Sequence, residues 1–145
     1  MYTPIVARAD GARAFAFFLR VAMQSLVFGE LKIEVTRSRD TIQLDWKGRS
    51  NHRNPETVLM PFLAQVTAAV GHPECVVKMH FEALEFFNSS TIAVIIKYVK
   101  DVRDKGVKLV FVFDPRHKWQ KIFFDALWIF QKEDGLFQIQ PIAHP

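Results

Sequence analysis

Two short polar stretches carry the side chains most able to take part in chemistry. Asn88-Ser89-Ser90-Thr91 is rich in hydroxyl groups, and Asp114-Pro115-Arg116-His117-Lys118 is basic; each follows an apolar run typical of a buried strand. In an open α/β sheet, functional residues gather at the carboxyl ends of the strands. We therefore take these two stretches as the candidate functional loops.

The first stretch is typical of a helix start that could accept a phosphate. Asn88 is a favoured N-cap residue because its side-chain oxygen can accept a hydrogen bond from an unpaired backbone N–H. Ser89 would then lie in the first helical turn with its hydroxyl toward solvent. A phosphate there would bring a charge of about −1.5 to −2 close to the positive end of the helix. The alternative is an ordinary polar N-cap with no further role.

The elements around these loops predict one α/β domain. Alternating apolar and polar residues predict an antiparallel hairpin from Leu31 to Thr36 and from Thr41 to Lys47. Further strands are expected in the run from Cys75 to Phe87, from Lys108 to Phe113 and from Leu136 to Gln140. Helical patterns separate them, so the order β-β-α-β-α-β-α-β predicts a mixed sheet with β-α-β crossovers and helices packed on it.

This arrangement predicts where the two loops meet. A single crossover helix joins the strand that ends near Phe87 to the strand that ends at Phe113. We therefore expect these strands to be neighbours and the two loops to face each other across a crevice.

The last helix combines a predicted buried stripe with a possible surface patch. The spacing of three and four residues predicts that one face is buried, formed by Trp119, Ile122, Phe123, Ala126, Leu127 and Phe130. Phe124, Trp128 and Ile129 lie partly outside that stripe. If exposed, they would form an apolar patch of the kind that marks a protein interface, so a homodimer is possible.

The amino-terminal part of the chain predicts an extra amphipathic helix. Within residues 14–28, one helical face is apolar, formed by Phe15, Phe18, Leu19, Ala22 and Leu26. The run is shorter than the roughly 20 residues that a membrane span needs, and it contains Arg20. We expect residues 1–28 to form an extension packed on the main domain (29–145) or on a second copy, with weak membrane-surface binding as the alternative.

Composition and motifs argue against several other classes of function. The formal net charge of +4 is too diffuse to demand nucleic acid, and a single cysteine, Cys75, excludes an internal disulfide and a cysteine-cluster zinc site. His80 and Cys75 would lie on opposite strand faces, so no metal site is expected. Phosphate-binding glycine motifs and a Gly-x-Ser-x-Gly elbow are absent, which leaves a serine hydrolase as a remote alternative. We expect no catalytic residues and no cofactor.

One part of the chain resembles the phosphorylation-site region of the STAS domain of bacterial anti-sigma factor antagonists, with the sequence LEFFNSSTIAVIIKYVKDVRDKGVKLVFVF. In that family a strand runs into Asp-Ser-Ser/Thr/Ala-Gly, followed by an apolar helix, a glycine and another hydrophobic strand. The resemblance spans about residues 30–140 and includes Trp46-Lys47-Gly48, which is similar to the family's strand–glycine turn. It is closest to an uncharacterised STAS-like branch. Asn88 and Thr91 stand where the family has Asp and Gly.

The resemblance implies a non-enzymatic, phospho-regulated module that switches protein partners in a bacterial cytoplasm. The implied phosphoacceptor is Ser89, with Ser90 as the second candidate. The implied partners are a serine kinase or anti-sigma-type protein and a metal-dependent serine phosphatase. Partner contact is expected from the two loops, through Asn88, Ser89, Ser90, Thr91, Arg116, His117 and Lys118. The alternative is a constitutive scaffold or dimerisation module without phosphorylation.

Overall fold

The computed structural model describes residues 25–143, which form a mixed sheet and the helices packed against it. The described elements follow the chain in the order β1 (Leu26–Phe28), β2 (Leu31–Arg37), β3 (Thr41–Ser50), α1 (Glu56–Ala68), β4 (Val76–His80), β5 (Leu84–Phe87), α2 (Ser89–Asp104), β6 (Lys108–Phe113), α3 (Lys118–Ala126), a 3₁₀ helix (Leu127–Phe130) and β7 (Phe137–Pro141). None of the described helices is long and apolar enough to cross a membrane.

The predicted mixed α/β sheet with an amino-terminal hairpin is confirmed. The strand order is β1-β2-β3-β4-β6-β7, and β5 pairs with β3 beside this path. The pairs β1–β2 and β2–β3 are antiparallel, whereas the pairs β3–β4, β4–β6 and β6–β7 are parallel. Most of the predicted amino-terminal helix lies outside the described residues. Its last part, Leu26–Phe28, is not helical but forms strand β1.

The expectation that the strands ending at Phe87 and Phe113 are neighbours is wrong. The apolar run after Cys75 forms two strands, because a tight turn closed by the hydrogen bond from Leu84 N to Phe81 O (2.9 Å) separates β4 from β5. After this turn the chain pairs with the end of β3, where Ser50 lies opposite Phe87. Strand β6 pairs with β4 instead.

The core lies between one sheet face and the helices. Along β3, the side chains of Ile42, Leu44 and Trp46 are fully buried, whereas the intervening Gln43 and Asp45 keep contact with solvent. This alternation is expected of a sheet with one packed and one solvated face. Aromatic rings fill the centre of the core: that of Phe81 packs against the rings of Trp46, Phe111 and Phe124 at centroid distances of 5.1–5.2 Å.

The predicted stripe of the last helix is confirmed in part. Leu127 is buried and Trp119, Phe123 and Phe130 pack against the core, as expected. Ile122 and Ala126 are exposed instead, and the helix is rotated so that Phe124 and Gln120 are buried. The α-helix ends at Ala126 and continues as a 3₁₀ helix, which has three residues per turn, so a single helical period does not describe the whole segment. The packing of Phe124 into the aromatic core sets the rotation.

Gly48 lies opposite Leu31 at the open end of the amino-terminal hairpin, where the two backbones approach so closely that only glycine fits. Its φ is +84°, and a Cβ built there would lie 2.1 Å from the carbonyl oxygen of Glu30. Gly29 has a similar φ of +63° but no atom within 4 Å of a built Cβ.

We predict that Gly48→Ala lowers the free energy of unfolding by about 2–4 kcal/mol, and Gly29→Ala by only about 1–2 kcal/mol. Urea denaturation followed by circular dichroism measures both; equal losses would contradict the steric argument.

Tyr98 makes the free energy of unfolding depend on pH in the alkaline range. Burial raises the pKa of Tyr98 to about 12, although its hydrogen bond with Thr67 (2.9 Å between the hydroxyl oxygens) opposes the shift. Because the unfolded chain ionises this tyrosine near pH 10, stability should fall as the pH rises from about 10 to 12, by up to about 2–3 kcal/mol. Tyr98→Phe should cost about 1 kcal/mol at pH 8. Its deficit relative to the wild type should shrink above pH 10, as measured by chemical denaturation; a constant deficit would contradict the prediction.

Candidate functional site

Asn88 caps helix α2, as the sequence predicts. Its backbone is extended, and its Oδ1 atom accepts a hydrogen bond from the backbone N–H of Thr91 (3.0 Å). The same oxygen accepts a second hydrogen bond from the Thr91 hydroxyl (2.8 Å). The first turn of the helix is therefore held by two bonds to a single side-chain oxygen.

Thr91 supports the site from inside the protein. Its side chain is fully buried, and its hydroxyl lies 2.7 Å from the Ser50 hydroxyl, which is also buried. Thr91 therefore offers no surface to a partner, in contrast to the contact role expected from the sequence. Ser50 was missed by sequence reasoning, because nothing in its polar surroundings distinguishes it from an exposed loop serine.

The Asn88 amide also connects the helix to the loop that follows β3. Its Nδ2 donates a hydrogen bond to the carbonyl of His52 (2.8 Å), and the Asn88 backbone N–H donates to the carbonyl of Ser50 (2.9 Å). An aspartate here would cap the helix but would present only acceptor oxygens to the His52 carbonyl. The local structure thus gives a physical reason for Asn at this position.

Ser89 is the exposed hydroxyl of the first turn. Its side chain faces solvent, whereas that of Ser90 is half-buried. Within residues 25–143 neither hydroxyl takes part in a hydrogen bond, and the first turn of α2 carries no acidic residue. The positive end of a 16-residue helix therefore lies next to an accessible hydroxyl.

Asp114 organises the second loop. Its carboxylate is buried and accepts hydrogen bonds from the backbone N–H of Arg116 (2.9 Å) and from the Arg116 guanidinium (3.2 and 3.3 Å). The His117 Nε2 atom lies 3.6 Å from the same carboxylate. Arg116, His117 and Lys118 nevertheless remain exposed, so the loop presents a basic surface in a fixed conformation.

Gln120 anchors this basic loop to the sheet. It is fully buried; its Oε1 accepts a hydrogen bond from Asp114 N (2.9 Å), and its Nε2 donates to the carbonyls of Phe81 (2.7 Å) and Leu84 (3.1 Å). These bonds join the start of α3 to the turn between β4 and β5. Sequence reasoning missed Gln120, because a polar residue next to Lys121 in this helix gives no sign of burial.

The two loops flank one aromatic contact. The ring of Phe87, which precedes Asn88, packs edge-on against Trp119, which follows Lys118, at a centroid distance of 4.9 Å. Across the described part of the chain, no hydrogen bond or ion pair joins Asn88-Ser89-Ser90 directly to Arg116-His117-Lys118. The two loops are therefore connected through packed rings that flank them, not through polar contacts.

The other residues considered for chemistry lie apart from this site. Cys75 is a buried thiol, His80 is bound to Glu82 (3.0 Å), and His72 contacts Asp40 (3.3 Å). The described residues contain no group of three or more His, Cys, Asp or Glu side chains that could hold a metal ion. Nor does any histidine in residues 25–143 bond to Ser89 as a triad would require.

The chain is similar to known proteins in structure but not in sequence. No protein-family model matches it, and no curated protein matches it in sequence. Among solved structures, it is similar to the Bacillus cell fate determinant SpoIIAA in its phosphorylated form, with 15% identity and a TM-score of 0.50 over 77% of this chain and 92% of that one.

Two further structures match with lower TM-scores. The anti-sigma factor antagonist SpoIIAA in its unphosphorylated form has 15% identity and a TM-score of 0.48 over 79% of this chain and 89% of that one. An uncharacterised protein of the DUF3478 family from Shewanella loihica PV-4, with a SpoIIAA-like fold, has 16% identity and a TM-score of 0.47 over 83% and 92%. The likeness to phosphorylated SpoIIAA shows that the chain has a STAS-like fold.

Proposed function

We propose that this chain is a phospho-regulated protein-binding module of bacterial signalling. It binds a protein partner at the surface around Asn88, Ser89 and Ser90, and phosphorylation of Ser89 changes which partner is bound. The observation that carries this proposal is an exposed Ser89 hydroxyl at the start of a helix that other residues hold in place.

Phosphorylation of Ser89 would alter the surface without disturbing the fold. The capping bonds are made by Asn88, Thr91 and Ser50, and Ser89 takes part in none of them. The added charge of about −1.5 to −2 would lie beside the positive end of α2, where no acidic side chain of the first turn opposes it. A surface complementary to an acidic partner would thereby become repulsive to it.

The basic loop supplies the second part of the proposed contact surface. Arg116 and His117 are oriented by the buried Asp114 carboxylate, and together with Lys118 they remain accessible. Thr91 contributes by holding Asn88 in place. Because these groups are ordered before binding, a partner would not have to immobilise the loop.

The fold supports the same role by analogy. The solved structure on which the fold assignment rests is a cell fate determinant in phosphorylated form. By that analogy, the partners proposed here are a serine kinase or anti-sigma-type protein and a metal-dependent serine phosphatase that resets the module, all in the cytoplasm. The proposed role is not enzymatic. A constitutive scaffold is the competing role, and the experiments below separate the two.

The first test is phosphosite mapping on the protein isolated from its native cells with phosphatases inhibited. We expect a phosphate on Ser89, because its hydroxyl is exposed, and none on the half-buried Ser90. Intact-mass spectrometry with peptide mapping measures this, and Ser89→Ala should remove the modified species. Absence of phosphate under all growth conditions would favour the constitutive scaffold.

The second test separates the proposed switch from capping. Ser89→Asp should leave the free energy of unfolding unchanged or raise it by about 0.3–1 kcal/mol, because a negative charge suits a helix start. Asn88→Ala should lower it by about 1–2 kcal/mol because the cap is lost. Thermal and urea denaturation measure both values.

The same variants test partner binding. Immobilised wild-type protein and Ser89→Ala should retain a protein from native lysate that Ser89→Asp releases. Ser38→Asp is the matched charge control, because Ser38 is exposed in the turn between β2 and β3, outside the proposed contact surface. Equal retention by wild type and Ser89→Asp would contradict the switch.

A further inference from the structure

Helix α3 and the following 3₁₀ helix carry an apolar surface that the described part of the protein leaves uncovered. Ile122, Trp128 and Ile129 keep 64%, 65% and 74% of their accessible area, and Ala126 is also exposed. Single exposed apolar residues are common, but a contiguous group usually marks an interaction surface. We name these four residues the outer face of α3.

The outer face lies on a rigid support. On the opposite side of the helix, Phe124 packs against Phe81, Phe111 and Phe113 at centroid distances of 5.0–6.1 Å. Gln120 holds the start of the helix through three hydrogen bonds. The helix therefore cannot rotate to bury Ile122 without breaking the aromatic core, and the exposed surface is a fixed feature of the fold.

One flank of the outer face carries both signs of charge. Lys121 and Asp125 are one turn apart and form an ion pair of 2.7 Å, and both are 57% exposed. They precede Ile122 and Ala126 by one residue each, so the charged pair and the apolar pair form adjacent rows along the helix. The Lys121–Asp125 pair carries no net charge.

Lys121 and Asp125 carry opposite charges, so this pair is complementary to the same pair on a second, antiparallel α3 helix. We propose that the outer face of α3 binds a second copy of this chain, with the two α3 helices antiparallel about a two-fold axis. The axis reverses the order of the charges, so Lys121 of one copy meets the partner's Asp125, and Asp125 meets the partner's Lys121. Ile122 and Ala126 pack against the same residues of the other copy, as an isologous interface requires. This inference is independent of the proposed function of Ser89.

The oligomeric state of the full chain tests the interface. Analytical ultracentrifugation from low micromolar to several hundred micromolar protein should show a monomer–dimer equilibrium. Ile122→Glu should raise the dimer dissociation constant by about 100-fold or more, because two apolar side chains leave the interface in each dimer. Val27→Glu is the matched control, since Val27 is 68% exposed on β1, away from the outer face, and this variant should keep the wild-type constant.

Charge reversal in trans tests the antiparallel geometry. Lys121→Asp and Asp125→Lys should each weaken self-association at least about tenfold, because each places like charges across the two-fold axis. An equimolar mixture of the two variants should form a heterodimer, because each then meets the opposite charge. Mixing cannot restore an ion pair within one helix, so this rescue depends on contact between copies.

Each of the following results would overturn the proposal. A wild-type chain that is monomeric at every concentration would exclude the second copy. A dimer unaffected by Ile122→Glu would place the interface elsewhere. A mixture of the two charge variants that remains monomeric would exclude the antiparallel pairing.

Discussion

The Asn88 side chain accepts hydrogen bonds from the backbone N–H and the hydroxyl of Thr91, and it donates one to the carbonyl of His52. A carboxamide can do both, because it carries an acceptor oxygen and a donor nitrogen on one rigid group, whereas a carboxylate offers acceptors alone. The loop after β3 and the start of α2 are thereby joined into one unit. The conformation of the proposed phosphoacceptor depends on this junction, although Ser89 itself contributes nothing to it.

The second loop is stabilised in the same physical way. Gln120 accepts from the backbone at Asp114 and donates to two carbonyls of the β4–β5 turn, so backbone groups that would otherwise be unpaired inside the protein are satisfied. In both loops a side-chain carboxamide fixes the backbone, that of Asn88 in the first and that of the buried Gln120 in the second, and exposed polar residues lie close by. The accessible side chains therefore stand on an ordered backbone. A partner can bind them without a large loss of conformational entropy in the loops.

Local patterns predicted the elements well, and tertiary contacts account for most of the misses. The strand from Lys108 to Phe113 and the Asn88 cap are as expected, because each depends on neighbouring residues alone. The division of β4 from β5 was missed because both halves are apolar and the turn between them contains neither Gly nor Pro. The roles of Ser50 and Gln120 depend on contacts with residues more than 30 positions away, which no local pattern reveals.

The rotation of α3 decides which of its apolar residues are exposed on the surface of the protein. Its sequence offers two apolar faces, one containing Phe124 and one containing Ile122, and periodicity alone cannot choose between them. The aromatic core selects Phe124, since its ring packs against three other phenylalanines of the sheet side. Ile122 and Ala126 are left exposed as a result. The ring of Phe87, which precedes Asn88, packs edge-on against both Trp119 and Phe123 of the same helix, at centroid distances of 4.9 and 4.7 Å. Because Phe123 is the neighbour of Ile122, these ring contacts connect the outer face of α3 to the proposed partner site.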